Sequence, residues 1–234
     1  AVGLVGSEMC IRDSGYPECR GKVMAGEAKW CRSLSGWQAT YDGWMLRADA
    51  QDVTDLSIFL DFRLVRGDAA LVGELRRHVH ATLPEQRGVQ FVLAREALSF
   101  RPPLRLPGNI YLGGASESSG RFDLKDALQP IVAFARVYAE RQRIVATHTM
   151  DRIAALADRD LLPAGSREEI ADAYDFLMGL RLQTQLDDVR AGREPTSVVE
   201  LSSLTSLQRE LLRSSFAAIA DVQKTAEREF PEVG

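Results

Sequence analysis

The chain has 234 residues, 45% hydrophobic and 26% charged, the composition of an ordinary soluble globular protein with room for one large domain or two modest ones. Its formal net charge of −4 and pI near 5.5 argue against the concentrated basic face that gives affinity for duplex nucleic acid, and leave open a local nucleotide site. No run of about 18 apolar residues occurs to span a membrane, and the three cysteines, Cys10, Cys19 and Cys31, fit neither zinc spacing nor a disulfide framework, so a reduced cytoplasmic setting is expected.

Residues 15–33 mix Gly, Pro, Cys and charge without a period, which predicts an ordered loop with room for one short strand. A short helix is expected over Leu34–Leu46, with Leu34, Trp37, Tyr41 and Trp44 on one face. DLSIFLDFRLV reads as a strand, setting Leu56, Ile58, Leu60, Phe62 and Leu64 against Ser57, Phe59, Asp61 and Arg63. Asp68 is placed to cap a helix through AALVGELRRHVHATL, and Pro84 to start another through EQRGVQFVLAREAL. RPPLRLPG is a break, after which NIYLG and GRFDL can pair as short strands across GASESS.

From Lys125 onward only helices are expected. Pro130 is placed like a first-turn proline ahead of Ile131, Phe134, Ala135 and Tyr138, and a second helix can begin at Thr149 with Ile153, Leu156 and Ala157 inward. Ser166 and Glu169 form a capping-box pattern, with Gly192 as the stop, and Thr205 and Gln208 repeat the pattern ahead of Leu212 and Phe216. Four such helices on short linkers predict an antiparallel four-helix bundle over 125–234, preceded by a mixed α and β part over 15–124. The fold class is therefore α+β.

Asp61 is the most informative polar residue, because a carboxylate inside an apolar strand needs a partner or a wet surface. Either it pairs with Arg63 two residues on, at the solvent face of an edge strand, or it projects into a cleft as a ligand for a hard cation such as Mg²⁺. Asp158 and Asp160, the one Asp-x-Asp spacing, read as solvated surface in the helical half. His78 and His80, two apart on a helix, point to different faces and read as surface histidines. Cys19 and Cys31 are either ligands lacking a partner or buried or half-buried thiols, and Trp30, Trp37 and Trp44 either one helix face with its entry or a base-stacking platform. Arg181 and Gln185, one turn apart, suit either a phosphate or substrate contact or a surface pair. Asp123 and Lys125 stand at the domain junction, where ligand clefts tend to form.

GYPECRGKVMAGEAKW, SIFLDFRLVRGD, FDLKDALQPIVAFARVYA and ADAYDFLMGLRLQTQL, in that order, resemble bacterial nucleotidyltransferases found joined to cyclic-nucleotide-binding and CBS domains, themselves similar to protein-PII uridylyltransferases. The resemblance covers residues 15 to about 228. It implies an incomplete palm, a small mixed sheet with helices, followed by a helical substrate-binding domain. It also implies transfer of a nucleoside monophosphate from a nucleoside triphosphate to a protein or small-molecule acceptor, with Mg²⁺. Asp61 matches the family's third metal carboxylate, and so would be catalytic and metal-binding. Arg63, Asp123 and Lys125 become the candidates for the bound nucleotide, and Arg181 and Gln185 for the substrate. The family's Gly-Ser turn and Asp-x-Asp strand should precede Gly15 and do not, so the chain is expected to be inactive alone. VGSEMCIRDS resembles a translated sequencing adapter, and residues 1–14 are expected to be a non-native disordered start. The alternative is a regulatory or partner-binding module with a degenerate palm.

Overall fold

Side-chain oxygens able to accept an orphaned amide decide where most of the helices begin. The computed structural model describes residues 14, 19, 21–24, 26–99, 104–105, 109–110, 120–163 and 165–230. The start expected to be disordered lies, apart from Ser14, outside them. Ser33 caps α1 (Leu34–Arg47) and Asp49 caps α2 (Ala50–Phe59), accepting from the amides of Gln51 and Asp52 at 2.9 Å. Asp68 caps α3 (Ala69–Thr82), which leads through the turn Leu83–Glu85 to α4 (Arg87–Ser99). Pro84 therefore sits in that 3-10 turn, and α4 starts after it.

Leu104–Arg105 (β1) pairs antiparallel with Asn109–Ile110 (β2), and Arg121–Asp123 (β3) leads directly into α5 (Leu124–Arg141). Asp123 caps α5 by accepting from the Lys125 amide at 2.8 Å. The helix begins six residues before Pro130, which lies inside it and leaves the carbonyl four residues earlier without its usual donor. α6 (Thr149–Ala157) and α7 (Ser166–Arg190) follow. The expected capping box at Ser166 does not form, because Gly165 at φ +83° takes the cap position and Ser166 is already helical. Gly192 at φ +69° does end α7 as expected, with the amide of Arg193 reaching back to the carbonyl of Asp188. Thr205 and Gln208 form a reciprocal capping box on α8 (Ser206–Glu229).

Two further expectations fail for physical reasons. Residues 50–59 are helical and the chain turns at Leu60 and Asp61, so the expected strand is absent. The buried residues are Asp52, Val53, Leu56, Ser57 and Leu60, a helical spacing, and Ile58 is 46% exposed. The Tyr41 hydroxyl donates to the Phe59 carbonyl at 2.6 Å, satisfying one of the carbonyls that the end of α2 leaves open. In addition, the region after 125 is not wholly helical. Val198–Glu200 (β4) pairs antiparallel with β3, in the register Phe122 with Val199, so GRFDL meets β4, while Asn109–Ile110 pairs with β1.

α5 is the central helix, packing against α4, α6, α7 and α8, and burying Leu124, Leu128, Ile131, Phe134 and Tyr138. α1 packs on α2 and α3, and α2 on α4. The packing thus runs across the division expected near residue 124, because α4 lies against both α5 and α8. Among the described residues no helix is long and apolar enough to cross a membrane.

Candidate functional site

Asp61 stands two residues beyond α2, in a turn braced by Tyr41 and by Arg76, which donates to the carbonyl of Phe62. Its carboxylate faces two guanidinium groups of the helical half. Arg152 Nη2 lies 2.6 Å from Oδ1, and Arg136 donates to Oδ2 from Nε and Nη2 at 3.1 and 3.0 Å. Arg152 also approaches Glu140 Oε1 at 3.6 Å, and Glu140 Oε2 lies 3.2 Å from His80 Nε2. Arg152 and Glu140 are each 1% exposed, so the network keeps two buried charges paired where α3, α5, α6 and the end of α2 meet. Burial and then the Glu140 carboxylate push the Tyr41 phenol well above its usual range, with Arg76 opposing and Asp61 adding to the rise.

This geometry corrects the sequence reading. Arg63 is exposed and is not the partner of Asp61, since Asp61 lies in the turn after α2 and no strand face joins the two. His80 is buried against Glu140, while half-buried His78 lies 2.7 Å from Asp42, so the pair does diverge but only one of them is near the surface. Cys19 and Cys31 are exposed, not buried. Trp30 and Trp37 stack at 6.1 Å, with Trp44 edge-on and Phe59 against both, a packed aromatic group at the entry to α1. Asp158 and Asp160 are exposed, as expected.

Magnesium needs several oxygen ligands and near-octahedral geometry. Both oxygens of Asp61 are instead turned to guanidinium groups, whose charge opposes a dication. Among the described residues no group of three His, Cys, Asp or Glu is placed to hold a metal ion. The described residues do not fit a magnesium site around Asp61.

Asp123 and Arg181 are linked through Ser197, beside the start of α5. Arg181 donates from Nε to Ser197 Oγ at 3.0 Å, and the carbonyl of Ser197 accepts from the amide of Leu124 at 2.9 Å, next to the Asp123 cap. Lys125 is exposed and Gln185, one turn along α7, is half-buried. Asp61 is remote from this group, since Leu124 and Arg136 are separated by roughly 18 Å of helix. Asp188 fastens the loop that carries Ser197. It accepts from the Thr196 amide and hydroxyl at 2.9 and 3.0 Å, and from Arg193 at 3.0 and 2.8 Å. These donors, the Thr196 amide first and then Arg193, hold its carboxyl below the usual carboxylate range. A depressed pKa stabilises the fold above the unfolded value, near 3.9, and the gain is lost as pH falls through the lowered value. The melting-temperature gap between wild type and Asp188→Asn is therefore expected to be full at neutral pH and to close on acidification below about 4, which thermal melts across pH will check.

A cavity of about 490 Å³ opens between α7 and α8, lined among others by Glu169, Asp172, Phe176, Ser214, Ser215 and Asp221. A neighbouring cavity of about 280 Å³ shares Glu169 and Asp221 and continues toward Arg228. The groove offers carboxylates and hydroxyls over an apolar floor, which suits a ligand bearing amino or hydroxyl groups and repels a polyphosphate. The sequence reading missed it, although Glu169, Asp172 and Phe176 already lie on one side of an evident helix. It also missed the partners of Asp61, although Arg136 and Glu140, one turn apart inside an apolar stripe, were a visible signal.

Residues 87–230 match the family model described as "Putative nucleotidyltransferase substrate binding domain". Residues 9–51 match a second, "Putative nucleotidyltransferase DUF294". No curated protein and no solved structure matches the chain.

Proposed function

Because the chain belongs to the family of nucleotidyltransferase substrate-binding domains, we propose that it holds the acceptor of a nucleotidyl transfer in the groove between α7 and α8. Domains of this kind serve nucleotidyl transfer and imply a nucleoside triphosphate as donor. In the proposed reaction an acceptor nucleophile attacks the α-phosphorus and pyrophosphate leaves, so that a protein or small molecule gains a nucleoside monophosphate, as in the protein-PII uridylyltransferases. The observation that carries the reading is the lining of the groove, inside the matched residues. Glu169, Asp172 and Asp221 favour a cationic acceptor there, and Phe176 provides a surface for its apolar part.

Arg181 and Ser197, with Asp123 and Lys125, make a second polar group at the junction of β3, β4 and α7. Its two cationic side chains suit an anionic part of the donor or acceptor better than the acidic groove does. The Asp61 network is assigned to joining the two halves of the chain, because its charges are spent on one another.

Calorimetric titration with spermidine, a triamine probe, tests the groove. Saturable binding is expected, weakened about tenfold by combining Asp172→Asn with Asp221→Asn, and ATP or UTP should not compete. Equal affinity in the variant would take the acceptor out of this groove.

A further inference from the structure

The 25 residues of α7 carry apolar side chains on two opposed faces. Ile170, Ala173, Leu177 and Leu180 are buried. Met178, Leu182, Leu186 and Val189, spaced by four, four and three, are 38, 57, 41 and 59% exposed. At about 100° per residue, this second row lies on the side turned away from the buried row, and none of the four lines the α7–α8 groove. A helix that merely covered a core would carry polar residues there, so the exposed row calls for a partner.

We propose that this face binds the same face of a second copy of the chain, with the two α7 helices antiparallel. The order of charges along the row selects the partner and its direction. A twofold axis passing between Leu182 and Gln183 exchanges residues equally far from that point. Asp175 then faces Arg190 of the partner subunit, and Arg190 faces Asp175 of the partner subunit, closing the row with an ion pair at each end. Gly179, exposed and with open space where a Cβ would stand, faces Leu186 of the partner subunit and lets the helices approach closely. A parallel pairing would set Asp175 against its own copy and Arg190 against its own copy, like charge on like. A partner of one charge would match one end of the row and clash with the other. Arg190 already pairs with Asp187 at 3.2 Å on its own helix, but remains 70% exposed, so its outer nitrogens are available to a second carboxylate.

Sedimentation equilibrium on the 25.9 kDa chain is expected to report a species of twice that mass in the micromolar range. Leu182→Glu should leave only the single mass, with the melting temperature that the wild type shows when diluted below its dissociation constant, since the residue supports no core. Asp175→Arg and Arg190→Asp should each raise the dissociation constant about tenfold, because each symmetric interface then holds two like-charged contacts. Mixed together, these two variants face each other with both pairs complementary and should form a heterodimer with near wild-type affinity. A wild type that stays at the single mass overturns the proposal. So does a dimer indifferent to Leu182→Glu, or a mixture no tighter than its separate members.

Discussion

Arg152→Met is expected to lower the unfolding free energy by about 3–5 kcal/mol, read from urea denaturation followed by circular dichroism. Methionine keeps most of the buried stem and its packing, so the loss isolates the charge. Arg152 lies between Asp61 at 2.6 Å and Glu140 at 3.6 Å, and the two carboxylates are not equivalent. Asp61 keeps Arg136 and is 31% exposed, so water and a second guanidinium compensate it. The Glu140 side chain is 2% exposed and, among the described residues, keeps the His80 ring at 3.2 Å. Most of the cost is therefore the burial of an undercompensated Glu140 carboxylate.

That division has a second consequence. Adding Glu140→Gln to Arg152→Met should recover part of the loss, because an amide in place of the carboxylate removes the stranded charge and can still meet the imidazole. Asp61→Asn alone should cost less than Arg152→Met, since its partners reach solvent more easily. A loss below about 1 kcal/mol for Arg152→Met, the range of an exposed pair, would mean that the network is not what joins α6 to the end of α2.

The most legible parts of the chain were those whose signals are local. Ser33, Asp68 and Thr205 stand one residue before helices that begin where their side chains can accept, and Gly192 ends α7 with the left-handed conformation its type favours. Residues 55–65 misled because Leu56, Ile58, Leu60 and Phe62 satisfy a period of two while Val53, Leu56 and Leu60 satisfy the helical one. Short apolar runs do not separate the two periods. The Asp49 cap and the fit of Leu56 and Leu60 into the core settle it for helix. β4 is three residues long between two helices, and its only cue is the β-branched pair Val198 and Val199. Asp61 stood out correctly as a carboxylate in need of a partner, but its partners are 75 and 91 positions along the chain, on α5 and α6. No spacing rule reaches that far, so the nearest arginine, Arg63, took their place in the sequence reading. The outer row of α7 was hidden in the same way, because apolar residues on both faces cancel the amphipathic pattern that would mark either one.

Phe216→Ala is expected to cost about 3–5 kcal/mol and, unlike Arg152→Met, to loosen the β3–β4 junction selectively. Phe216 is 0% exposed, and its ring meets that of Phe122 edge-on at 5.7 Å. Phe122 pairs with Val199 in the centre of a ladder of only three residue pairs. So short a ladder has little stability of its own, and the packing of Phe122 on α8 is what holds it down. Removing the Phe216 ring leaves a void beneath the ladder that backbone movement can fill, and that movement carries Ser197 away from the Leu124 amide and from Arg181. Amide exchange should then quicken at Leu124 and Leu201, which donate to Ser197 and Gly120 across the junction at 2.9 Å, beyond any change in the interior of α5. Phe216→Leu retains much of the volume and should cost less than about 1.5 kcal/mol, with little local loosening. If both variants lose equal stability, or exchange at Leu124 follows only the global unfolding, the junction is held by its backbone bonds and not by the aromatic contact. The polar group at Arg181 would then be independent of the helical core, and its geometry would tolerate changes in α8.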